Sequence, residues 1–310
     1  MLVVIALGGN ALLRRGEPAE ASVQRRHIED AAAAIAAVAA EYDVVVTHGN
    51  GPQIGLLALQ AAAYGEIAPY PLDVLGAQSE GMIGYQLAQA LHNRLADREV
   101  VAVLTQVIVD ADDPAFATPT KPIGPIYDQA TASRLARAHG WSVAADGGNF
   151  RRVVPSPEPH DLVEIESVRE LVQARAIVIC AGGGGIPVTC AADRTLIGVE
   201  AVVDKDLTAA LLAERLHADT LLILTDVKAV ERDWGTRQAQ PIRHATPNEL
   251  RLLDFASGSM APKIAAACRF VERTGGTAAI GALEDAAEIL KGARGTLVAP
   301  AIQTAALAAG

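Results

Sequence analysis

Leu2-Val3-Val4-Ile5-Ala6-Leu7-Gly8-Gly9-Asn10 sets six apolar residues directly before a Gly-Gly-Asn step. An unbroken apolar run of this length reads as a strand buried on both faces, and glycine after it lets the backbone approach whatever lies beyond the strand end. The same order recurs downstream. Asp43–Thr47 runs into His48-Gly49-Asn50-Gly51-Pro52, and Ala176–Cys180 runs into Gly182–Gly185. Further strand-like runs are Val100–Val109, Thr220–Thr225 and Thr277–Gly281. Stretches of helical period separate them, near Ser22–Glu41, Pro52–Ala63, Gln78–Leu95, Asp204–His217 and Pro262–Thr274. Strands alternating with helices imply βαβ units, so the chain is predicted to be α/β, a three-layer α/β/α sandwich around a mainly parallel sheet.

The 310 residues fit one domain over residues 1–310. One segment breaks the rhythm. Residues 110–159 hold Pro114, Pro119, Pro122, Pro125, Pro155, Pro157 and Pro159, with one helical stretch near Gln129–His139. That is too long for an ordinary connection, so the segment is expected to form an inserted protruding subdomain, a lid.

Composition narrows the function classes. No apolar run reaches the roughly 18 residues of a membrane span, and the N-terminal run lacks the basic flank of a signal peptide. A formal charge of −10 argues against a nucleic-acid partner, whose phosphates need a basic face. The three cysteines, Cys180, Cys190 and Cys268, match no metal spacing and point to a reducing cytoplasm. A Walker loop, a HExxH helix and a GxSxG elbow are all missing. Gly182–Gly185 followed by Ile186-Pro187 makes a poor dinucleotide loop, which leaves an NAD-dependent dehydrogenase an outside reading.

Four Gly-rich segments remain, at positions where strands end or helices begin: Gly8-Gly9-Asn10, His48 to Pro52, Gly182–Gly185, and Gly258-Ser259-Met260-Ala261-Pro262-Lys263. Free N–H groups at helix starts bind anions, and the four together point to a polyanion site. The lysines sharpen this. There are five, against 21 arginines, and Lys121, Lys205 and Lys263 all fall beside proline, aspartate or glycine in loops. His48 reads either as a general base or, more simply, as a structural histidine bonded to backbone.

These blocks resemble the carbamate kinases of the amino acid kinase family. The likeness rests on Ala6 to Ala11, Thr47 to Gln53, Leu104 to Val107, Pro119 to Pro125, Arg152 to Pro157, Gly182 to Val188, Gly198 to Asp206 and Gly258 to Lys263, in one order over nearly the whole chain. It implies the amino acid kinase fold, with the phosphoryl acceptor in the N-terminal part, the nucleotide in a half spanning approximately residues 200–310, and a homodimer. The implied reaction is reversible phosphoryl transfer between ATP and carbamate, giving ADP and carbamoyl phosphate, with ATP formation the usual direction. Arginine breakdown is one pathway that would use it.

By that resemblance Lys205 and Lys263 act on the transferring phosphoryl and Asp206 orients them. Gly8, Gly9, Asn10, Gly49, Asn50 and Gly51 supply N–H or amide contacts to carbamate and phosphate. From the insert's own length and proline content, and not from the resemblance, Lys121 between Thr120 and Pro122 is expected to close over the substrate. Thr225, Asp226, Gly258, Ser259 and Met260 border the nucleotide. Mg²⁺ arrives on ATP or ADP, with no protein metal site. Lys228-Ala229 departs from the family's acidic and aromatic pair near adenine, where Trp234 could contribute. The rival readings are a sister kinase acting on another carboxylate, and a nucleotide-binding regulator without catalysis.

Overall fold

The structure, a computed structural model, describes residues 1–13, 16–255 and 260–301, apart from the Asn10 side chain. Eight strands build the central sheet: β1 (Leu2–Leu7), β2 (Asp43–His48), β3 (Val100–Ala102), β4 (Ile177–Ile179), β5 (Thr220–Thr225), β6 (His244–Ala245), β7 (Thr277–Ala282) and β8 (Thr296–Val298). Their order is β6-β8-β7-β5-β1-β2-β4-β3, with β1 in the interior. Every pairing is parallel except β7 with β8.

The helices are α1 (Ala21–Ala39), α2 (Gly51–Ala63), α3 (Leu72–His92), α4 (Gln129–His139), α5 (Ile165–Gln173), α6 (Lys205–Arg215) and α7 (Met260–Thr274), beside shorter turns. Alternation along β1 explains the three layers. Val4 and Ala6 join a core with Ala209, Leu212, Ala266 and Phe270 of α6 and α7. Val3, Ile5 and Leu7 face the other way, onto Ile28, Ile35, Ile83 and Leu87 of α1 and α3. Both faces of the strand are covered, as its unbroken apolar run requires.

The apolar run Val100–Val109 divides in two. Val100–Ala102 edges the central sheet, while Gln106–Val109 enters a four-stranded sheet with Pro159–Leu162, Ile186–Cys190 and Leu196–Gly198. Thr105 sits at the break, its N–H on the Glu80 carboxylate at 2.9 Å and its carbonyl accepting from Ile186 N–H at 2.8 Å. Residues 121–154 carry a three-stranded antiparallel sheet and α4. Gly147 and Gly148 turn its hairpin with φ of 59° and 84°, values suited to a tight two-residue loop. A small core of Ile54, Ala58, Leu72, Leu75, Ile123, Val154 and Val202 ties this unit to α2 and α3.

Candidate active site

Strand register gathers the glycine segments at one sheet edge. Leu7 pairs with both His48 and Leu224, and Ile179 with Val46, so the chain leaves β1, β2, β4 and β5 side by side at their carboxyl ends. That edge is where ligands bind in open parallel sheets. The loops then touch. A Cβ on Gly49 would lie 2.9 Å from the Gly9 Cα and 3.2 Å from Cδ of Lys205. A Cβ on Gly182 would strike the His48 ring at 2.4 Å, and one on Gly183 the Asn50 amide at 2.0 Å. A Cβ on Gly184 would meet the Val203 carbonyl oxygen at 2.4 Å. Glycine is needed there because backbone packs on side chain with no room for another atom.

Onto this floor α6 projects its first turn. Asp204 caps it, its Oδ1 accepting from the N–H groups of Asp206 at 2.9 Å and Leu207 at 3.3 Å. Its Oδ2 accepts from Lys121 Nζ, which reaches across from the start of the insert's sheet. Asp206 is 3% exposed and takes two ammonium groups, Lys205 Nζ at 2.5 Å and Lys263 Nζ at 3.0 Å. Three lysines from three distant segments therefore meet two aspartates.

Burial and charge set the protonation states. Burial alone would raise both carboxyls, but the ammonium groups outweigh it: Lys121 and Lys205 hold Asp204 well below the usual range, and Lys205 with Lys263 holds Asp206 below it. Burial pulls the Lys205 ammonium down to about 8, with Asp206 supporting the charge and Lys263 opposing it. His48 is pulled down to about 4, chiefly by burial, and its Nδ1 lies 3.1 Å from the Gly49 carbonyl oxygen. It is a neutral, backbone-bonded histidine, unsuited to act as a base for a proton in solution.

Not every expected contact survives. The N–H groups of Gly8 and Gly49 are not open to a ligand: they donate to the carbonyls of Leu224 at 2.8 Å and Leu7 at 3.1 Å, extending the sheet by one residue. Among the described residues, the N–H groups of Gly9, Asn50 and Gly51 meet no backbone or side-chain acceptor. The Asn50 amide donates to Ser79 Oγ at 2.8 Å. Gly182–Gly185 leads into the strand Ile186–Cys190 and not into a helix, since Pro187 has no N–H and Gly183, Gly184 and Gly185 all have positive φ. Thr225 lies against Gly8, with its hydroxyl donating to Asp226 Oδ1 at 3.0 Å. Met260 opens α7. Gly258, Ser259 and the Asn10 side chain lie outside the described residues. Trp234 is 68% exposed between the short strands Glu231–Arg232 and Gln240–Pro241, too open for a partly buried loop anchor.

Two acids went unread in the sequence. Asp204 is at once helix cap and partner of Lys121, and its place directly before Lys205 at a helix start was the available signal. Glu80 is buried, with Leu72, Leu75, Gly76, Ser79, Ile83 and Leu87, on the inner stripe of α3. A carboxylate on an apolar stripe is conspicuous once the helix is extended back to Leu72.

The model of the amino acid kinase family matches residues 1–281. A carbamate kinase of Haemophilus influenzae is 53% identical over 300 residues, covering 96% of each chain. One of Rhizobium meliloti is 52% identical over 301 residues, covering 96% of this chain and 93% of its own. The solved structure of carbamate kinase from Giardia lamblia bound to AMP-PNP superposes with a TM-score of 0.87 at 40% identity, over 96% of this chain and 98% of that one. Similarity at this level spans the whole glycine-lined edge and both lysine-bearing helices, and the chain belongs to the amino acid kinase family, among its carbamate kinases.

Proposed function

We propose that this chain transfers a phosphoryl group reversibly between carbamoyl phosphate and ADP, with ATP formation its usual direction, through the Lys205–Asp206–Lys263 cluster. The observation that carries the reading is two ammonium groups from separate helices on one buried aspartate, with the Lys205 stem against Gly49. In the ATP-forming direction an oxygen of the ADP β-phosphate attacks the phosphorus, and the bond from phosphorus to the carbamoyl oxygen breaks. Carbamate leaves as an anion, so no proton has to move. Alignment and neutralisation of charge on the transferring group are the whole task.

In this reading Lys205 and Lys263 contact the transferring group and Asp206 holds them in position. Gly9, Asn10, Asn50 and Gly51 line the acceptor side, where Gly8 and Gly49 allow close approach. Thr225, Asp226, Gly258, Ser259 and Met260 border the nucleotide, in a half formed by approximately residues 200–310. Residues 110–159 form the protruding unit that brings Lys121 over the acceptor. Among the described residues no three His, Cys, Asp or Glu side chains converge as a metal cage. In this reading Mg²⁺ arrives on the nucleotide and keeps most of its ligands as phosphate and water, while Asp204 and Asp206 hold lysines. We further propose a homodimer in the cytoplasm; among the described residues no helix is long and apolar enough to cross a membrane. The test is ATP formation from carbamoyl phosphate and ADP, read through a coupled assay, in the wild type and in Lys263→Ala. Absence of carbamoyl phosphate-dependent ATP in the wild type refutes the reading.

A further inference from the structure

Beneath the acceptor loop lies a buried carboxyl oxygen with nothing to bond. Glu80 is 4% exposed, and its Oε1 is buried without a partner among the described residues. Its Oε2 accepts the Thr105 N–H at 2.9 Å. His48 is 1% exposed, and the Gly49 carbonyl beside Nδ1 can only accept, so the ring proton sits on Nδ1 and Nε2 presents a bare lone pair. No described residue bonds that Nε2. Both side chains press on one glycine: a Cβ on Gly182 would lie 2.4 Å from His48 Nε2 and 3.2 Å from Glu80 Cγ.

An orphaned carboxylate oxygen at this depth is costly, whereas a protonated carboxyl needs one acceptor and offers one donor. Thr105 N–H occupies the carbonyl oxygen, which leaves the proton to Oε1. We propose that Glu80 stands as an uncharged carboxylic acid whose Oε1–H serves His48 Nε2 through one bridging water, and that this pair positions the His48–Gly51 loop against Gly182. The chain then runs Thr105 N–H to Glu80, Glu80 to His48, and His48 Nδ1–H to the Gly49 carbonyl. Gly49 in turn seats the Lys205 stem. Burial raising the Glu80 carboxyl well above its ordinary value agrees with this, against the lowering by the Thr105 N–H. The other titratable groups facing it add no cation: Glu164 is a second acid engaged with Gln106, and the Cys180 thiol is pushed up by burial and by Glu80 and Glu164. Glu80 is a positioning residue, not a catalytic one.

The protonation claim is independent of the proposed reaction and is tested with Glu80→Gln, which keeps one donor and one acceptor in the same shape. An acid uncharged when folded ionises on unfolding, so the wild type loses stability as pH rises above the ordinary glutamate range, while the Gln variant does not. Urea unfolding at about pH 5.5 and about pH 8 should show the equilibrium constant shifting in favour of the Gln variant by up to roughly tenfold per pH unit. Groups common to both proteins cancel in the comparison. Parallel stability curves mean an ionised Glu80 and overturn the proposal.

The positioning claim rests on the proposed reaction and is tested kinetically. Glu80→Gln should keep ATP formation from carbamoyl phosphate within about threefold, whereas Glu80→Leu should lower kcat about tenfold or more with the KM for ADP little changed. Equal loss in both variants, or none in Glu80→Leu, overturns it. Should Glu80→Leu fail to fold, the urea comparison still decides, since it needs only the two isosteric proteins.

Discussion

Replacing Asp206 with Asn keeps the side chain's shape and removes one negative charge from beneath two lysines. Asp206 is 3% exposed and accepts from Lys205 Nζ at 2.5 Å and Lys263 Nζ at 3.0 Å. Removing one partner of a buried pair costs about 3–5 kcal/mol when the other charge is stranded. Lysine has a way out, because it can lose its proton. About 3 kcal/mol of lost support corresponds to roughly two pKa units. The Lys205 ammonium, already down at about 8 with Asp206 present, then falls below neutrality. At about pH 7.5 the variant would present an uncharged amine to the transferring phosphoryl, and loss of one preorganised cation or donor costs about 10²-fold or more in kcat.

The assay is coupled ATP formation from carbamoyl phosphate and ADP across about pH 6 to 9. Wild-type activity should hold until Lys205 deprotonates near pH 8, from the same value, and then decline. The Asp206→Asn profile should decline from a lower pH, with the KM for ADP within a few-fold. The reasoning fails if both profiles share one limb and one kcat while only the unfolding midpoint drops. Asp206 would then be no more than a negative charge in the first turn of α6, worth a few tenths to about 1 kcal/mol against the helix dipole.

Three further outcomes are expected. Lys263→Ala removes one of the two ammonium groups on Asp206 and should lower kcat about 10²-fold or more, measured in the same coupled assay; near-normal turnover would remove Lys263 from the site. Lys121→Ala should raise the KM for carbamoyl phosphate and slow turnover while ADP affinity by calorimetry stays within a few-fold, and equal loss of ADP affinity would refute a role over the acceptor alone. His48, pulled down to about 4 by burial against 6.5 unfolded, binds its proton only in the unfolded chain within that window, so stability should fall as pH drops through it, by up to about 3 kcal/mol; His48→Gln should lose that slope in urea titrations.

Runs buried on both faces were legible because nothing in them depends on partners far away. Leu2–Leu7 takes its bounds from apolar residues alone, and Thr220–Thr225 is an apolar run closed by a threonine at each end. Val100–Val109 did not yield to the same reading. Its apolar residues resume directly after Thr105-Gln106, and only the Glu80 carboxyl and the Ile186 N–H, contributed by other elements, show why the strand breaks there. Helix α3 begins at Leu72 and not near Gln78, since Pro71 ends the preceding segment and Leu72 and Leu75 bury with the insert's core. For the site, residue types and loop positions could be read, but not pairings. Lys121 lies 83 residues from Asp204, and Lys263 lies 57 from Asp206. Nor does a glycine motif distinguish an N–H open to a ligand, as at Gly9, from one held by the sheet, as at Gly8.

The pairing of three lysines with two aspartates constrains which ligand the site can take. Three ammonium groups gathered at one site repel one another, and Lys205, pulled down to about 8 by burial even with Asp206 attached, is opposed by Lys263 as well. Asp204 and Asp206 offset that charge by pairing with the lysines, and so occupy them. A monoanion such as carbamate therefore meets a cluster whose excess is a single positive charge, and gains little by competing with carboxylates already in place. A ligand bringing several charges at once, as carbamoyl phosphate or a nucleotide's terminal phosphate does, can draw Lys205 and Lys263 from Asp206 together. On the proposed reaction, the Lys205–Asp206–Lys263 cluster is thus kept for the phosphoryl group, where the negative charge of the transition state accumulates, and the acceptor is held by the glycine-loop amides with Lys121 above it.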